Sequence, residues 1–139
     1  MPIVFRVDHA HRIVVAVAHG VIVPEEMFEY QRELEALPGI AGYDELVDMT
    51  PVTRIEESGS PRIRHLATVA ASGDSPASRT RFAIVAPTDL AFGLGRMYQA
   101  YRAGEPGSTK EVGVFRSMDE ARAFLGIEGP LAPPDWSAG

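Results

Sequence analysis

Residues 81–101, RFAIVAPTDLAFGLGRMYQAY, run a short apolar strand straight into a capped helix. Phe82, Ala83, Ile84, Val85 and Ala86 show no polar alternation, so both faces of this strand are expected to be covered, as at an interior position of a parallel sheet. Pro87-Thr88-Asp89 stops it. Thr88 or Asp89 can accept hydrogen bonds from the free N–H groups that open the next helix, and Asp89 also opposes the positive end of its dipole. A strand feeding a helix in this way marks an α/β layer protein, and no catalytic signature follows it.

Upstream, residues 3–7 and 12–18 are β-rich runs separated by Asp8-His9-Ala10-His11, a pattern that suits an antiparallel hairpin. Pro24 then takes a first helical position, Glu25 and Glu26 fill the first turn, and Met27, Tyr30, Gln31, Leu34 and Leu37 recur at helical spacing. Pro38-Gly39 ends that helix. The next strand spans residues 43–49 around Leu46-Val47, with Asp48 near the strand end where function gathers in open α/β sheets. Residues 50–60 read as a loop, and Pro61 starts a second helix with Ile63, Leu66, Ala67 and Ala70 in one stripe.

Downstream of the quoted stretch, the third helix runs from about residue 89 to 102. A last strand covers residues 112–115, and Ser117-Met118-Asp119-Glu120 is a capping box on a fourth helix. The expected fold is therefore α/β, with a mixed sheet of about five strands, parallel in its centre, and four helices packed on it. One domain over residues 1–126 is expected, followed by an extended Pro-rich tail, residues 127–139, anchored by Trp136.

The chain has 139 residues, 45% apolar and 23% charged, as in a globular domain. Its formal net charge of −6 argues against nucleic acid or an anionic membrane as partner, since both need a basic footprint. There is no cysteine, which excludes thiolate catalysis, disulfides and thiolate metal sites. No apolar run approaches the ~20 residues of a membrane helix. The N-terminus lacks a basic lead and long apolar run, so stable membrane insertion is not expected and a cytoplasmic location is the default.

The order of DELVDMTPVT, RFAIVAPTDLAFGLGRMYQAY and VGVFRSMDEARAFLG resembles the SpoIIAA-like branch of the STAS superfamily over residues 1–126. That resemblance implies a STAS-like fold and a non-enzymatic regulatory or protein-interaction module, on a branch that also looks related to the CRAL-TRIO lipid-binding fold. In anti-sigma-factor antagonists of this type a phosphorylatable Ser or Thr opens the second helix. The matching stretch here is Glu56-Glu57-Ser58-Gly59, which departs from the pattern by placing Glu57 at the acceptor position with Ser58 beside it. A carboxylate there supplies permanently the charge that phosphorylation supplies transiently. The plain alternative is a solvated acidic turn before a helix N-terminus, and whether Ser58 is ever phosphorylated stays open.

Other constellations are weaker. Asp8, His9, His11 and His19 include ordinary metal ligands, but their spacing is unspecific and exposed turn histidines account for them, so no metal and no cofactor is expected. Ser58 and Ser60 precede His65 without any nucleophile elbow, and an enzyme is not expected. Gly93 and Gly95 each cost about 0.5–1 kcal/mol inside a helix, which calls either for close packing or for room beside a ligand.

Two functions remain. The leading one is a protein-interaction module with an unknown protein partner, acting through Asp48, Thr50, Glu56, Glu57, Ser58 and Arg96. The alternative is a carrier or sensor of a small lipophilic or anionic ligand, contacted by Thr88, Asp89, Gly93, Gly95, Met97 and Tyr101. A second copy of the chain is a further candidate partner, through the third helix or an edge strand.

Overall fold

The computed structural model describes residues 2–56 and 59–136. Its main sheet has five strands in the order β1 (Ile3–Asp8), β2 (Ile13–Ala18), β4 (Asp44–Asp48), β6 (Thr80–Val85) and β7 (Lys110–Phe115). β1 pairs antiparallel with β2, and every other pairing is parallel. β6 therefore lies inside the sheet, as its unbroken apolar run requires. Among the described residues the helices are α1 (Pro24–Glu35), α2 (Gly59–Ser72), α3 (Asp89–Ala103) and α4 (Met118–Leu125).

Local chemistry sets these boundaries. Pro24 opens α1, with Glu25 and Glu26 in its first turn. Thr88 caps α3, its hydroxyl accepting from the Ala91 N–H at 3.2 Å, and Ser117 caps α4 by accepting from the Glu120 N–H at 3.3 Å. Gly126 closes α4 in the left-handed region at φ 72°, letting the Ile127 N–H reach the Arg122 carbonyl.

The strands put alternate side chains on two faces. On the front, Val14, Ala16, Phe82, Ile84, Val112 and Val114 meet α1, α2 and α3. On the back, Ile13, Val15, Leu46, Ala83 and Val85 pack on Ala121 and Leu125 of α4. Ile127 and Leu131 extend that back layer. Beyond them the Arg6 Nε donates to the Ala132 carbonyl, Pro134 is buried, and Trp136 stacks on His19 with ring centroids 5.4 Å apart. The residues after α4 thus run across the back of the sheet toward β1 and β2.

One region departs from the sequence reading. Residues 50–60 read as loop throughout, but they contain β5 (Val52–Ile55), which pairs parallel with β3 (Gly20–Ile22) in a separate two-stranded sheet. Gly20 makes this geometry accessible: with φ at +68° it turns the chain out of β2, and its N–H donates to the Pro51 carbonyl. Strands of three and four residues are too short to show a period, which is why the sequence conceals them.

Candidate functional site

On the front face the three helices do not fill the space above the sheet. A half-open cavity of about 120 Å³ lies there, floored by Val47, Phe82 and Ile84. α1 contributes Met27 and Tyr30 to its wall, α2 contributes Ile63 and Leu66, and α3 contributes Ala91, Leu94, Gly95 and Tyr98. Ile22, Met49 and Ile55 line the end nearest the small β3–β5 sheet. On α3, Ala91 and Gly95, one helical turn apart, are the small residues of the wall.

At the inner end the apolar lining gives way to a buried polar cluster. Glu45 and Arg102 are the buried charged residues among those described, at 5% and 2% exposure. The Tyr30 hydroxyl donates to Glu45 Oε2 at 2.7 Å, and the Lys110 ammonium lies 3.5 Å from Glu45 Oε1. Arg102 donates to the Tyr98 hydroxyl and to Asp74 Oδ1, each at 2.5 Å. Asp74 Oδ2 accepts further bonds from the backbone N–H groups of Thr109 and Lys110. Burial pushes the Tyr30 phenol far above its ordinary pKa, and the neighbouring Glu45 adds to the shift. Burial likewise raises Tyr98, against the opposing pull of Arg102. Burial works against the Arg102 charge, but Tyr98 and Asp74 outweigh it and hold its pKa above the ordinary value.

Behind this cluster, at the N-terminal ends of β4, β6 and β7, is a polar cleft of about 200 Å³ lined by Tyr43, Asp44, Asp74, Thr80, Arg102 and Lys110. Gln31 and Glu45 line both spaces. The polar cluster thus stands as a partition between an apolar chamber and a polar one.

The residues singled out from sequence fall in several places. Gly95 lines the cavity, and a Cβ there would come within 2.9 Å of Val114 Cγ1, so this glycine also permits the close approach of α3 to β7. Gly93 is exposed and faces open space: a Cβ there would meet nothing within 4 Å, and no packing contact explains it. Thr88 is the α3 cap, while Asp89 pairs with Arg116 at 2.8 Å on the surface. Met97 and Tyr101 are half-buried against the front core, with the Arg64 guanidinium over the Tyr101 ring. Of the six residues offered as ligand contacts, Gly95 is the one in the cavity wall.

Asp48 and Thr50 are joined to each other: Asp48 Oδ1 accepts from the Thr50 N–H at 2.9 Å and from its hydroxyl at 2.6 Å, shaping the turn that leaves β4. Glu56 follows β5, with its side chain 3.9 Å from Arg54 and its N–H bound to the Ile22 carbonyl. Arg96 is exposed on α3. Glu57, Ser58 and the side chain of Ser60 lie outside the described residues. The histidines are dispersed among separate partners: His11 pairs with Asp8 at 2.9 Å, His9 bonds Tyr43 at 2.8 Å, and His65 stacks on Phe28. No group of three or more potential ligands among the described residues could hold a metal ion.

Sequence reasoning did not find Tyr30, Glu45, Tyr98 and Arg102 as a unit. The available signal was Glu45 itself, an acid in a strand whose neighbours Leu46 and Val47 face opposite sides of a covered sheet.

No family model and no curated protein matches this chain. A solved structure does: an uncharacterised protein of the DUF3478 family with a SpoIIAA-like fold, from Shewanella loihica PV-4. It is 19% identical, with a TM-score of 0.55, over 88% of this chain and 93% of that one. The present chain has a SpoIIAA-like fold, and at that identity the likeness speaks for the fold alone.

Proposed function

We propose that this protein is a non-catalytic binding module that takes a small lipophilic molecule, or the end of a larger one, into the cavity under α1, α2 and α3. The observation that carries this reading is the apolar chamber itself, floored by the parallel neighbours β4 and β6. A dry apolar cavity of about 150 Å³ holds a benzene-sized guest, so the 120 Å³ here suits a group of roughly five carbons. Burying five CH₂ groups at about 0.8 kcal/mol each contributes about 4 kcal/mol, a Kd near 1 mM, and a longer ligand emerging past Met27 and Met49 would gain more. Methionine walls adapt to such guests. The polar cluster supports binding rather than turnover, because Tyr30, Glu45, Lys110, Arg102 and Asp74 are engaged with one another.

Native mass spectrometry of gently purified protein tests the reading. A reproducible added mass that disappears in an Ala91→Leu variant is expected. Preparations that carry no adduct and acquire none from a lipid extract would contradict it.

A protein-interaction role is the second reading, and one observation favours it. Leu90 and Val21 are exposed at 58% and 45%, and each is the chain neighbour of a cavity-lining residue, Ala91 and Ile22. Exposed apolar side chains on two elements that contribute to the chamber wall suit a protein partner docking on those elements. Loss of a specific pull-down partner in both Leu90→Asp and Val21→Asp variants would support it, and unchanged recovery would count against these two positions.

A further inference from the structure

We propose that the cavity prefers small neutral molecules bearing one carbonyl-type oxygen on an apolar body, and that the Tyr98 hydroxyl is the group that recognises this oxygen. The inference rests on the ligand-binding reading above and adds the chemical class of the ligand.

Tyr98 is more than nine-tenths buried and forms part of the cavity wall. A phenol can donate one hydrogen and accept at its oxygen. The Tyr98 oxygen accepts from Arg102 Nη1, yet among the described residues its own hydrogen meets no acceptor. The other phenol in the wall, Tyr30, already gives its hydrogen to Glu45. Of the two phenols in the wall, Tyr98 therefore carries the one whose hydrogen is not engaged among the described residues. Arg102, held in turn by Asp74 and by the Ser108 hydroxyl, withdraws electron density from the phenol oxygen. Hydrogen bonds in series polarise one another, so the Tyr98 O–H is a stronger donor than an isolated phenol.

Charge narrows the class further. Glu45 shares this wall, whereas Lys110, which balances it, lines the polar cleft and not the cavity. A ligand carboxylate would meet a like charge in a poorly solvated space. A ketone, aldehyde, ester or amide oxygen would not, and the remaining lining is almost entirely aliphatic or aromatic.

Titration of the whole protein with cyclopentanone and with cyclopentane, followed by methyl NMR, tests the proposal in wild type and in Tyr98→Phe. The variant is expected to bind cyclopentanone about three- to tenfold more weakly and cyclopentane no more weakly. The infrared carbonyl stretch of cyclopentanone bound to wild-type protein is expected at lower frequency than in hexane, a readout independent of any effect of the variant on folding. Equal loss for both guests, or a hexane-like stretch in the wild type, would overturn the role of Tyr98 while leaving the cavity reading intact. Failure of both guests to bind the wild type would overturn the cavity reading with it.

Discussion

The two faces of the sheet are made by the same strands, residue by alternate residue, yet they are finished in different ways. The back is a continuous apolar layer of Ile13, Val15, Leu46, Ala83 and Val85 closed by α4 and the segment after it. The front holds both buried charges among the described residues, the partition they build, and an unfilled chamber. Apolar surface removed from water stabilises the fold at roughly 25 cal/mol per Å², and buried polar groups add little net stability unless every member is satisfied. The back is therefore the more fully packed layer, and the front, where the binding site is proposed, is the less closed one. That difference can be broken or sharpened by experiment.

The largest effect is expected on the front. Arg102→Leu removes the guanidinium that Asp74 and Tyr98 share and leaves a carboxylate buried without its counter-charge. A loss of about 3–5 kcal/mol in denaturant unfolding is expected. On the back, Leu46 is fully buried, and Leu46→Ala should cost about 2–5 kcal/mol by the same measurement.

Enlarging a buried alanine separates the faces more sharply than deleting side chains does. Ala121→Leu forces extra volume into the closed back layer, where about 1–3 kcal/mol of destabilisation is expected. Ala91→Leu points into the chamber and should change stability by less than about 1 kcal/mol while abolishing guest binding. Equal costs at the two alanines would mean that the front is as closed as the back.

The smallest effect lies outside both faces. Asp8 accepts from the His11 backbone N–H and from the His11 ring, which with Arg6 hold its pKa down from 3.8 to about 2. Because the folded pKa is the lower one, the contribution of this group to stability is present above about 3.8 and is lost as pH falls through about 2. NMR titration should place its carboxyl near 2. The cavity, whose linings carry no part of this turn, should bind its guests unchanged in Asp8→Asn.

The scaffold is far easier to read from sequence than the site. Phe82 to Ala86 announce a strand covered on both sides because apolar residues on alternate faces leave no solvent side, and Thr88 and Ser117 mark helix starts by a local hydrogen bond that needs no tertiary context. The site depends on groups brought together across the chain. Glu45 and Lys110 are 65 positions apart by their numbers, and either one alone reads as a solvated charge. Arg102 reads as a helix arginine that is solvated, salt-bridged or open to an anion, and Tyr98 as one more apolar residue of α3. Gly93 and Gly95 look equivalent in the sequence, but two positions on a helix point in different directions, and only Gly95 meets the cavity and β7.

The most direct test of the central claim is a methyl NMR titration of the wild-type protein with cyclopentane. Shifts confined to Val47, Ile63, Ile84 and Leu94 on the front, with Val15, Leu46 and Leu125 on the back unmoved, are the expected result, with a Kd near 1 mM. No saturable shift on the front, or shifts spread equally over both faces, would contradict it.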